Sequence, residues 1–325
     1  MSQPTVLVTS RSFSSGDVDA RGELESIGVR VVVGPADHDL TRLAPTLADA
    51  VAWIAGAGPI TAAHLDAAPG LQLIARYGVG VDAVDRSEAE RRGIPVTNTP
   101  GANSGAVADH TLALILAALR RVTAGDRRVR RGDWNVERTR ELGQLTVGLV
   151  GAGRIGRGVA ARLSGFGSTV LGHDPWVDDS TLRGSGITPA SLEQLAGQCD
   201  IVSLHAPGES TLVDRGWLAS VKPGLILVNT ARANLVDEPD LATALRAKRV
   251  QTYATDTLST ESSGAANPLL DQDLAEQTIF TPHSAAQTVE AVDRMSTGTV
   301  AAVRALLSGD PLPAVVPPPA TQKST

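Results

Sequence analysis

Short aliphatic runs alternate with amphipathic segments along most of this 325-residue chain, and this alternation constrains the fold more than any other feature. In the N-terminal part, the runs have apolar side chains at both odd and even positions, over residues 6–8, 29–33, 51–54, 71–75 and 95–97. Strands of this kind are covered on both faces, as in parallel sheets. Strands that alternate with helices in this way predict an α/β fold.

The same alternation resumes after Gly143. Further strands are predicted over residues 146–150, 169–172, 200–204, 225–229, 251–255 and 278–280. Two α/β segments suit a chain of this length, because a single core rarely grows beyond about 250–300 residues. A final helix is predicted over residues 285–307, and the proline-rich tail after it, from Pro311 to Pro319, is expected to pack little.

Composition excludes several classes of protein. Hydrophobic residues make up 42% of the chain, and 29 Lys and Arg against 35 Asp and Glu give a net charge of −6, which offers no electrostatic footprint for nucleic acid. The single Cys199 excludes an intramolecular disulfide and a Cys-rich metal site. The longest apolar run, residues 112–119, is too short to cross a membrane, and no signal-peptide pattern is present. We therefore expect a soluble, cytoplasmic protein with no bound metal and no nucleic-acid or membrane partner.

A long helix is predicted between the two α/β segments. Asn103 or Ser104 can cap its start, and its pattern continues to about Arg130. Apolar residues cover most of its circumference over residues 107–119, which indicates burial on several sides. The pattern fits burial against a second subunit and burial inside its own chain equally well.

The strand at residues 146–150 runs into the pattern G-x-G-x-x-G. In this pattern Gly151 permits a tight turn, Gly153 lets backbone approach a pyrophosphate, and Gly156 allows close packing of the following helix. The pattern alone is weak evidence, but Asp174 follows at the end of the next predicted strand, where a carboxylate accepts hydrogen bonds from a ribose diol. The same carboxylate repels a 2′-phosphate, so the segment indicates NAD rather than NADP as the cofactor.

Three polar residues follow later strands of this segment: Arg232, Glu261 and His283. Ligands bind at the carboxyl edge of an open parallel sheet, so these side chains are expected together there. Hydride transfer to a carbonyl needs a cation that polarises the oxygen, a role for Arg232, and an acid that delivers a proton, a role for His283. Glu261 would hold the imidazolium and raise its pKa. Taken singly, each residue fits an ordinary loop position, and only their combination on one sheet edge indicates a site.

These residues lie within segments that resemble a known family. The segments are residues 76–82, 95–101, 151–156, 229–232, 235–237 and 281–283. In sequence and in order they resemble the D-isomer-specific 2-hydroxyacid dehydrogenases, most nearly the phosphoglycerate dehydrogenase-like branch. The resemblance is specific over residues 71–286 and weaker towards both ends.

The resemblance implies two Rossmann-like domains with parallel sheets. A flavodoxin-like substrate domain would comprise residues 1–99 and 286–325, and a doubly wound NAD-binding domain would comprise residues 100–285. Family members are commonly dimers joined through the cofactor domain. This suits the apolar helix after Asn103 and implies a homodimer.

The resemblance also assigns roles to individual residues. It implies Arg232, Glu261 and His283 as the catalytic Arg, Glu and His. It implies substrate contacts from Arg76 and from the backbone of Gly78 and Val79. Besides the three glycines, the residues implied to lie beside NAD are Arg154, Ile155, Asp174, His205, Ala206, Pro207, Thr230, Ala231, Asp256 and Ala285.

Three places depart from the family pattern. Ala233-Asn234 stands where the family has two glycines after the catalytic Arg. Leu258 and Ser262 replace the Phe and Pro that usually flank the catalytic Glu. Ala55-Gly56 replaces an Arg-Ser pair typical of phosphoglycerate enzymes, and the loss of that guanidinium disfavours 3-phosphoglycerate as the substrate.

The leading hypothesis is an NAD-dependent enzyme that interconverts a 2-oxo acid and a D-2-hydroxy acid, with a small carboxylate as its substrate. One alternative keeps the fold and cofactor but oxidises phosphite or another phosphorus acid, held by Arg76 and Arg232. A second alternative is a non-catalytic, NAD-sensing protein similar to transcriptional corepressors. The retained Arg, Glu and His favour turnover.

Overall fold

The computed structural model describes residues 3–208, 210–261 and 263–317. Within them the chain divides into two compact units, with boundaries after Asn103 and after Ala285. The first unit therefore combines the two ends of the chain, and the second is one continuous segment. The first boundary lies four residues after the one the sequence analysis expected at residue 99. Residues 100–103 form a turn whose Ala102 carbonyl accepts a hydrogen bond from Arg294 of the first unit, at 2.7 Å.

Five parallel strands form the sheet of the first unit: β1 (Thr5–Val8), β2 (Arg30–Val33), β3 (Ala50–Ala55), β4 (Leu73–Arg76) and β5 (Val96–Thr97). Their order, β2-β1-β3-β4-β5, is that of flavodoxin-like folds and confirms the expectation for this unit. The helices between them are α1 (Ala20–Ser26), α2 (Leu40–Leu47), α3 (Ala62–Asp66) and α4 (Arg86–Arg91). Aspartate side chains accept hydrogen bonds from the first turns of α1, α2 and α4, which fixes where these helices begin.

Trp53 and two histidines occupy the core of the first unit. Thr9 accepts a hydrogen bond from Trp53 Nε1 at 2.9 Å and lies 2.7 Å from His38 Nε2. His64 Nε2 lies 2.8 Å from the His38 carbonyl. Burial lowers the pKa of His38 to about 4, so its ring is uncharged at neutral pH. No cluster of three or more His, Cys, Asp or Glu able to hold a metal ion occurs among the described residues.

The second unit has a seven-stranded parallel sheet in the order β12-β11-β10-β9-β6-β7-β8. Its strands are β6 (Thr146–Val150), β7 (Thr169–His173), β8 (Thr188–Pro189), β9 (Ile201–Leu204), β10 (Leu225–Asn229), β11 (Val250–Thr255) and β12 (Thr278–Phe280). The chain runs outwards from β6 in one direction and, after β8, returns to build β9 to β12 on the other side. This is the expected doubly wound arrangement, and the carboxyl ends of β6 and β9 form its switch point.

The helices of the second unit cover both faces of this sheet. They are α5 (Ser104–Leu119), α6 (Val122–Arg130), α7 (Arg154–Ser164), α8 (Asp179–Gly184), α9 (Leu192–Gln198), α10 (Arg215–Ser220) and α11 (Glu238–Arg246). Ala108, Leu114 and Ile115 of α5 pack into the core formed with β6 and α7. Burial inside its own chain therefore accounts for much of the apolar surface of α5.

The prediction of a single helix that continues to about Arg130 is wrong, because two helices are present. Arg121 adopts a left-handed conformation, with a φ of 51°, between the end of α5 and the start of α6. Its side chain lies 2.8 Å from Glu137. No glycine or proline marks this break, so no local sequence pattern predicts it.

The last helix, α12 (Val289–Ser308), belongs to the first unit and begins four residues later than expected. Thr288 caps it by accepting a hydrogen bond from Ala291. The prediction of a loose tail is wrong for residues 314–316. The Val316 amide donates to the Val96 carbonyl at 2.8 Å, and Val315 forms an antiparallel β-bridge with Thr97. Pro318 and Pro319 of that tail lie outside the described residues. None of the described helices is both long enough and apolar enough to span a membrane.

Candidate active site

The glycine-rich turn lies between β6 and α7, at the switch point of the second unit. Gly151 has a φ of 95°, and a Cβ there would lie 2.7 Å from the backbone of His205, so only glycine fits. A Cβ on Gly156 would overlap the Gly151 carbonyl oxygen, which explains how α7 approaches the strand so closely. A Cβ on Gly153, by contrast, would meet no atom within 4 Å. The helix N-terminus therefore opens onto a space that an anion can occupy.

Asp174 lies against this turn, directly after β7. Its Oδ2 accepts a hydrogen bond from the Ala152 amide at 2.7 Å, and its Oδ1 accepts one from the Trp176 amide at 2.9 Å. Arg154 and Ile155 form the first two positions of α7, where backbone N–H groups have no partner within the helix. The arrangement has a carboxylate for a ribose and amides for a pyrophosphate, so the residues present fit a dinucleotide.

The loop after β9 forms the other side of the switch point. The His205 amide donates to the Val150 carbonyl at 2.7 Å, which ties the loop of His205, Ala206 and Pro207 to the end of β6. His205 Nε2 lies 3.0 Å from the Ser203 hydroxyl. Burial lowers the pKa of His205 to about 4, so its imidazole is neutral beside the proposed cofactor.

The turn after β10 presents Arg232. Asn229 is fully buried, and its side chain donates to the Arg232 carbonyl at 2.8 Å and accepts from the Ala231 amide at 3.0 Å. Thr230 and Thr111 join their hydroxyls at 2.8 Å, which fixes this turn against α5. Arg232 is half-buried, and its Nη1 donates to the Ala231 carbonyl. The sequence reasoning singled out Arg232 but missed Asn229, which shapes the turn.

Glu261 and His283 meet in the structure. His283 Nδ1 lies 3.1 Å and 3.2 Å from the two carboxylate oxygens of Glu261. The hydrogen bond with Glu261 raises the pKa of His283, which burial alone would lower. The charge of Asp256 raises this pKa further, and the charge of Arg232 opposes the rise. The three residues derived from the sequence thus lie near one another, despite the altered residues that flank Glu261.

Asp256 is buried beneath the turn that carries His283. Its Oδ1 accepts from the Ser284 amide at 2.9 Å and from the Thr281 hydroxyl at 2.5 Å, and its Oδ2 accepts from the Ala285 amide at 2.8 Å. His283 itself has a φ of 51°, a conformation that needs support from its surroundings. Asp256 supplies that support, a role the sequence reasoning did not assign to it.

His110 also belongs to this cluster. Its Nε2 lies 2.9 Å from the Thr281 hydroxyl and 3.6 Å from Asp256 Oδ1. The sequence analysis gave no role to His110, since a histidine on an apolar helix usually serves packing. Its place in the cluster depends on the contact of α5 with the turn after β12, which no local sequence pattern predicts.

The residues implied to contact substrate lie in the first unit, at the end of β4. Arg76 Nη1 donates to the carbonyls of Ala55 and Tyr77, each at 2.9 Å. Gly78 has a φ of 134°, and the Val79 carbonyl accepts from the Asn98 side chain at 2.8 Å. Arg76, Gly78 and Val79 are therefore neighbours within a well-bonded turn of this unit.

Comparison with known proteins identifies the family. A family model described as the NAD-binding domain of the D-isomer specific 2-hydroxyacid dehydrogenases matches residues 112–285. The chain belongs to this family. The matched region covers the glycine-rich turn, Asp174 and the Arg232, Glu261 and His283 cluster, and it identifies this unit as an NAD-binding domain.

Two curated relatives illustrate the range of the family. D-3-phosphoglycerate dehydrogenase of Mycobacterium bovis is 39% identical over 324 residues, which cover 97% of this chain and 59% of the relative. The chain thus spans little more than half the length of that protein. Glyoxylate reductase of Korarchaeum cryptofilum is 38% identical over 247 residues, which cover 73% of this chain and 74% of the relative.

A solved structure agrees with the fold of this dehydrogenase family member. D-lactate dehydrogenase from Aquifex aeolicus, crystallised with NAD and lactic acid, aligns with a TM-score of 0.84 and 27% sequence identity. The alignment covers 94% of this chain and 96% of that chain.

Proposed function

We propose that the chain reduces a 2-oxo acid to a D-2-hydroxy acid with NADH, and catalyses the reverse reaction with NAD. The contact between His283 and Glu261, with Arg232 close enough to influence the same imidazole, is the observation that carries this proposal. A protein that only bound a dinucleotide would have no need of a histidine whose protonated form is stabilised by a neighbouring carboxylate.

Each catalytic side chain has a distinct role in this reaction. Arg232 polarises the substrate carbonyl, since a guanidinium stabilises the negative charge that develops on the oxygen. NADH, held at the glycine-rich turn and Asp174, would supply the hydride for this reduction. Protonated His283 then delivers a proton to the oxygen, and Glu261 stabilises the imidazolium before that transfer. The products are the hydroxy acid, NAD and neutral histidine.

Features of the first unit favour a small substrate that lacks a phosphate group. A Cβ on Gly56 would overlap the Thr9 carbonyl oxygen, so the turn after β3 does not accept a larger residue in this conformation. Ala55 and Gly56 bring no charge to this turn. Arg76 and the turn at Gly78 and Val79 are proposed to bind the substrate carboxylate. The similarity to a glyoxylate reductase supports glyoxylate as the first substrate to test.

We also propose that the protein is a homodimer joined through its second unit. Val122 and Val129 of α6, and Trp134 and Val136 in the segment that follows, are exposed apolar side chains. Trp134 is 76% exposed and Val136 is 94% exposed. A second copy of the chain would remove this apolar surface from water.

The activity is tested by NADH oxidation with a panel of glyoxylate, hydroxypyruvate, pyruvate and branched or aromatic 2-oxo acids. We expect turnover with at least one of them, and a loss of about 100-fold or more in kcat for Arg232→Ala. Arg183→Ala is the matched control, because Arg183 is exposed on α8 of the same unit and pairs only with Asp179 in the described structure. Binding of NADH without oxidation by any substrate in the panel would contradict the proposal.

A further inference from the structure

Glu238, at the start of α11, is a buried carboxylate that the proposed reaction does not use. Only 5% of its surface is exposed. Its Oε1 accepts a hydrogen bond from the Ser259 amide at 2.9 Å. Its Oε2 accepts one from the Ser259 hydroxyl at 2.5 Å and one from the Asn267 side chain at 2.6 Å. No Lys or Arg pairs with Glu238 in the part of the chain that the structure describes, so neutral donors alone satisfy it.

These donors are the two ends of the loop that carries Glu261. Ser259 precedes Glu261 by two residues, and Asn267 follows it by six. Asn267 also reaches the Thr260 hydroxyl at 3.4 Å. A single carboxylate therefore holds both ends of the loop.

Between these ends, hydrogen bonds of the loop to itself hold its described residues: the Glu261 amide donates to the Leu258 carbonyl, and the Ser263 and Gly264 amides donate to the Thr260 carbonyl. Residues 263–266 are exposed, and Glu261 itself is 41% exposed at its side chain. A glycine, Gly264, with a φ of 62°, lies within this stretch. The position of Glu261 opposite His283 thus depends on hydrogen bonds, within the loop and at its two anchored ends, rather than on packing of the exposed residues.

We propose that Glu238 is a positioning residue, which holds Glu261 within hydrogen-bonding distance of His283 and thereby sets the pH at which His283 loses its proton. The catalytic consequence rests on the proposed function, but the positioning itself does not. Glu238 acts only through the loop, because its recorded contacts are with Ser259 and Asn267 and none is with His283.

The other charged groups that face His283 have separate supports. Asp256 is held by the amides of Ser284 and Ala285, and Arg232 lies on the turn shaped by Asn229. A change in the pKa of His283 that follows substitution of Glu238 or Ser259 therefore reports on Glu261. Loss of the Glu261 contact removes the interaction that raises this pKa, so the pKa falls.

The test is an NMR titration of the full chain with isotope-labelled histidine, in which His283→Asn assigns the His283 signal. We compare the wild type with Glu238→Gln, Ser259→Ala and Glu261→Gln. Ser263→Ala is the matched control, since Ser263 lies on the same loop and makes no contact with Glu238. Glu261→Gln defines the pKa of His283 without its carboxylate partner.

We expect Ser263→Ala to leave the pKa of His283 at the wild-type value. Glu238→Gln and Ser259→Ala should lower it by at least half of the shift that Glu261→Gln produces. Ser259→Ala removes one hydroxyl and keeps the buried carboxylate, so it remains informative if Glu238→Gln does not fold. A wild-type pKa in folded Ser259→Ala, or equal shifts in Ser259→Ala and Ser263→Ala, would overturn the proposal.

A kinetic measurement links positioning to catalysis. In Ser259→Ala the pH at which kcat/KM for oxo-acid reduction falls to half should move downwards with the pKa of His283, while NADH affinity stays within about twofold of wild type. A uniform fall in rate with an unchanged pH profile would show that Ser259 and Glu238 serve stability alone. The titration needs no turnover, so failure of the proposed activity and failure of this inference give different results.

Discussion

Two buried carboxylates that accept hydrogen bonds from neutral donors shape this site at the scale of single residues. Asp256 and Glu238 are 2% and 5% exposed, and each accepts hydrogen bonds from neutral donors on a loop that bears a candidate catalytic residue. Asp256 serves the turn of His283, and Glu238 serves the loop of Glu261. Hydrogen bonds to a charged acceptor are worth more than neutral ones, so these carboxylates help to fix the two segments in place.

Asp256→Asn is expected to destabilise the protein by about 1–3 kcal/mol, because the new amide nitrogen would face the N–H group of Ser284 or Ala285 and leave a buried donor without an acceptor. Activity should fall as well, since His283 would no longer be held in its left-handed conformation. Urea unfolding and NADH oxidation measure the two effects. Asp179→Asn, at an exposed position on α8, is the control. An unchanged unfolding midpoint in Asp256→Asn would contradict this account.

At the scale of elements, two glycines of the glycine-rich turn serve different purposes: one is needed for the fold and the other for cofactor binding. Gly151 is required by the fold, because its φ of 95° and its contact with the His205 backbone exclude a side chain. Gly153 is not, because a Cβ there would point into open space. The space beside Gly153 is therefore available to the cofactor. A side chain that fills this space should weaken cofactor binding and leave the stability of the fold unchanged.

The pair Gly151→Ala and Gly153→Ala tests this separation. We expect Gly151→Ala to lower the melting temperature or to prevent folding, since it introduces both backbone strain and an overlap. Gly153→Ala should melt as the wild type does but bind NADH about tenfold or more weakly, which corresponds to about 1.4 kcal/mol. Thermal melting and NADH fluorescence titration provide the measurements. Wild-type NADH affinity in folded Gly153→Ala would show that the cofactor does not approach this backbone.

The strands were largely predictable from sequence, because a buried parallel strand needs apolar side chains on both faces and this requirement is local. The elements that escaped prediction depend on distant contacts. β8 has only two residues and pairs with β7 without an apolar run of its own. α12 begins only after its Thr288 cap, and Ser284 and Ala285, where the helix was expected to begin, donate their amides to Asp256 instead.

The candidate site shows the same division. Arg232, Glu261 and His283 could be found from sequence because each follows a strand at the expected sheet edge. Glu238 could not, since it lies at the start of a helix and faces a loop more than twenty residues later in the chain. An acidic residue in the first turn of a helix is common for local reasons, so nothing distinguished it.

At the scale of the whole molecule, the proposed dimer places its contact on the second unit. Replacement of Trp134 and Val136 by serine should shift the protein towards the monomer in size-exclusion chromatography with light scattering, because the interface would lose its most exposed apolar side chains. Trp176→Ser is the control, as Trp176 is 74% exposed elsewhere on the same unit. A wild-type protein that stays monomeric at high concentration would contradict the dimer.

The discontinuous first unit has a consequence for synthesis on the ribosome. Tyr77 donates a hydrogen bond to the Val292 carbonyl of α12 and lies 3.1 Å from the Ser296 hydroxyl. The core of the first unit is therefore completed by a helix that is synthesised about 200 residues after its last strand. The second unit is continuous and can fold as soon as it emerges. At roughly 5–20 residues per second, the first strand waits about 15–60 s for the end of its last helix. The second unit is thus expected to fold before the first. The sheet of the first unit is the part that a chaperone would need to shield during synthesis.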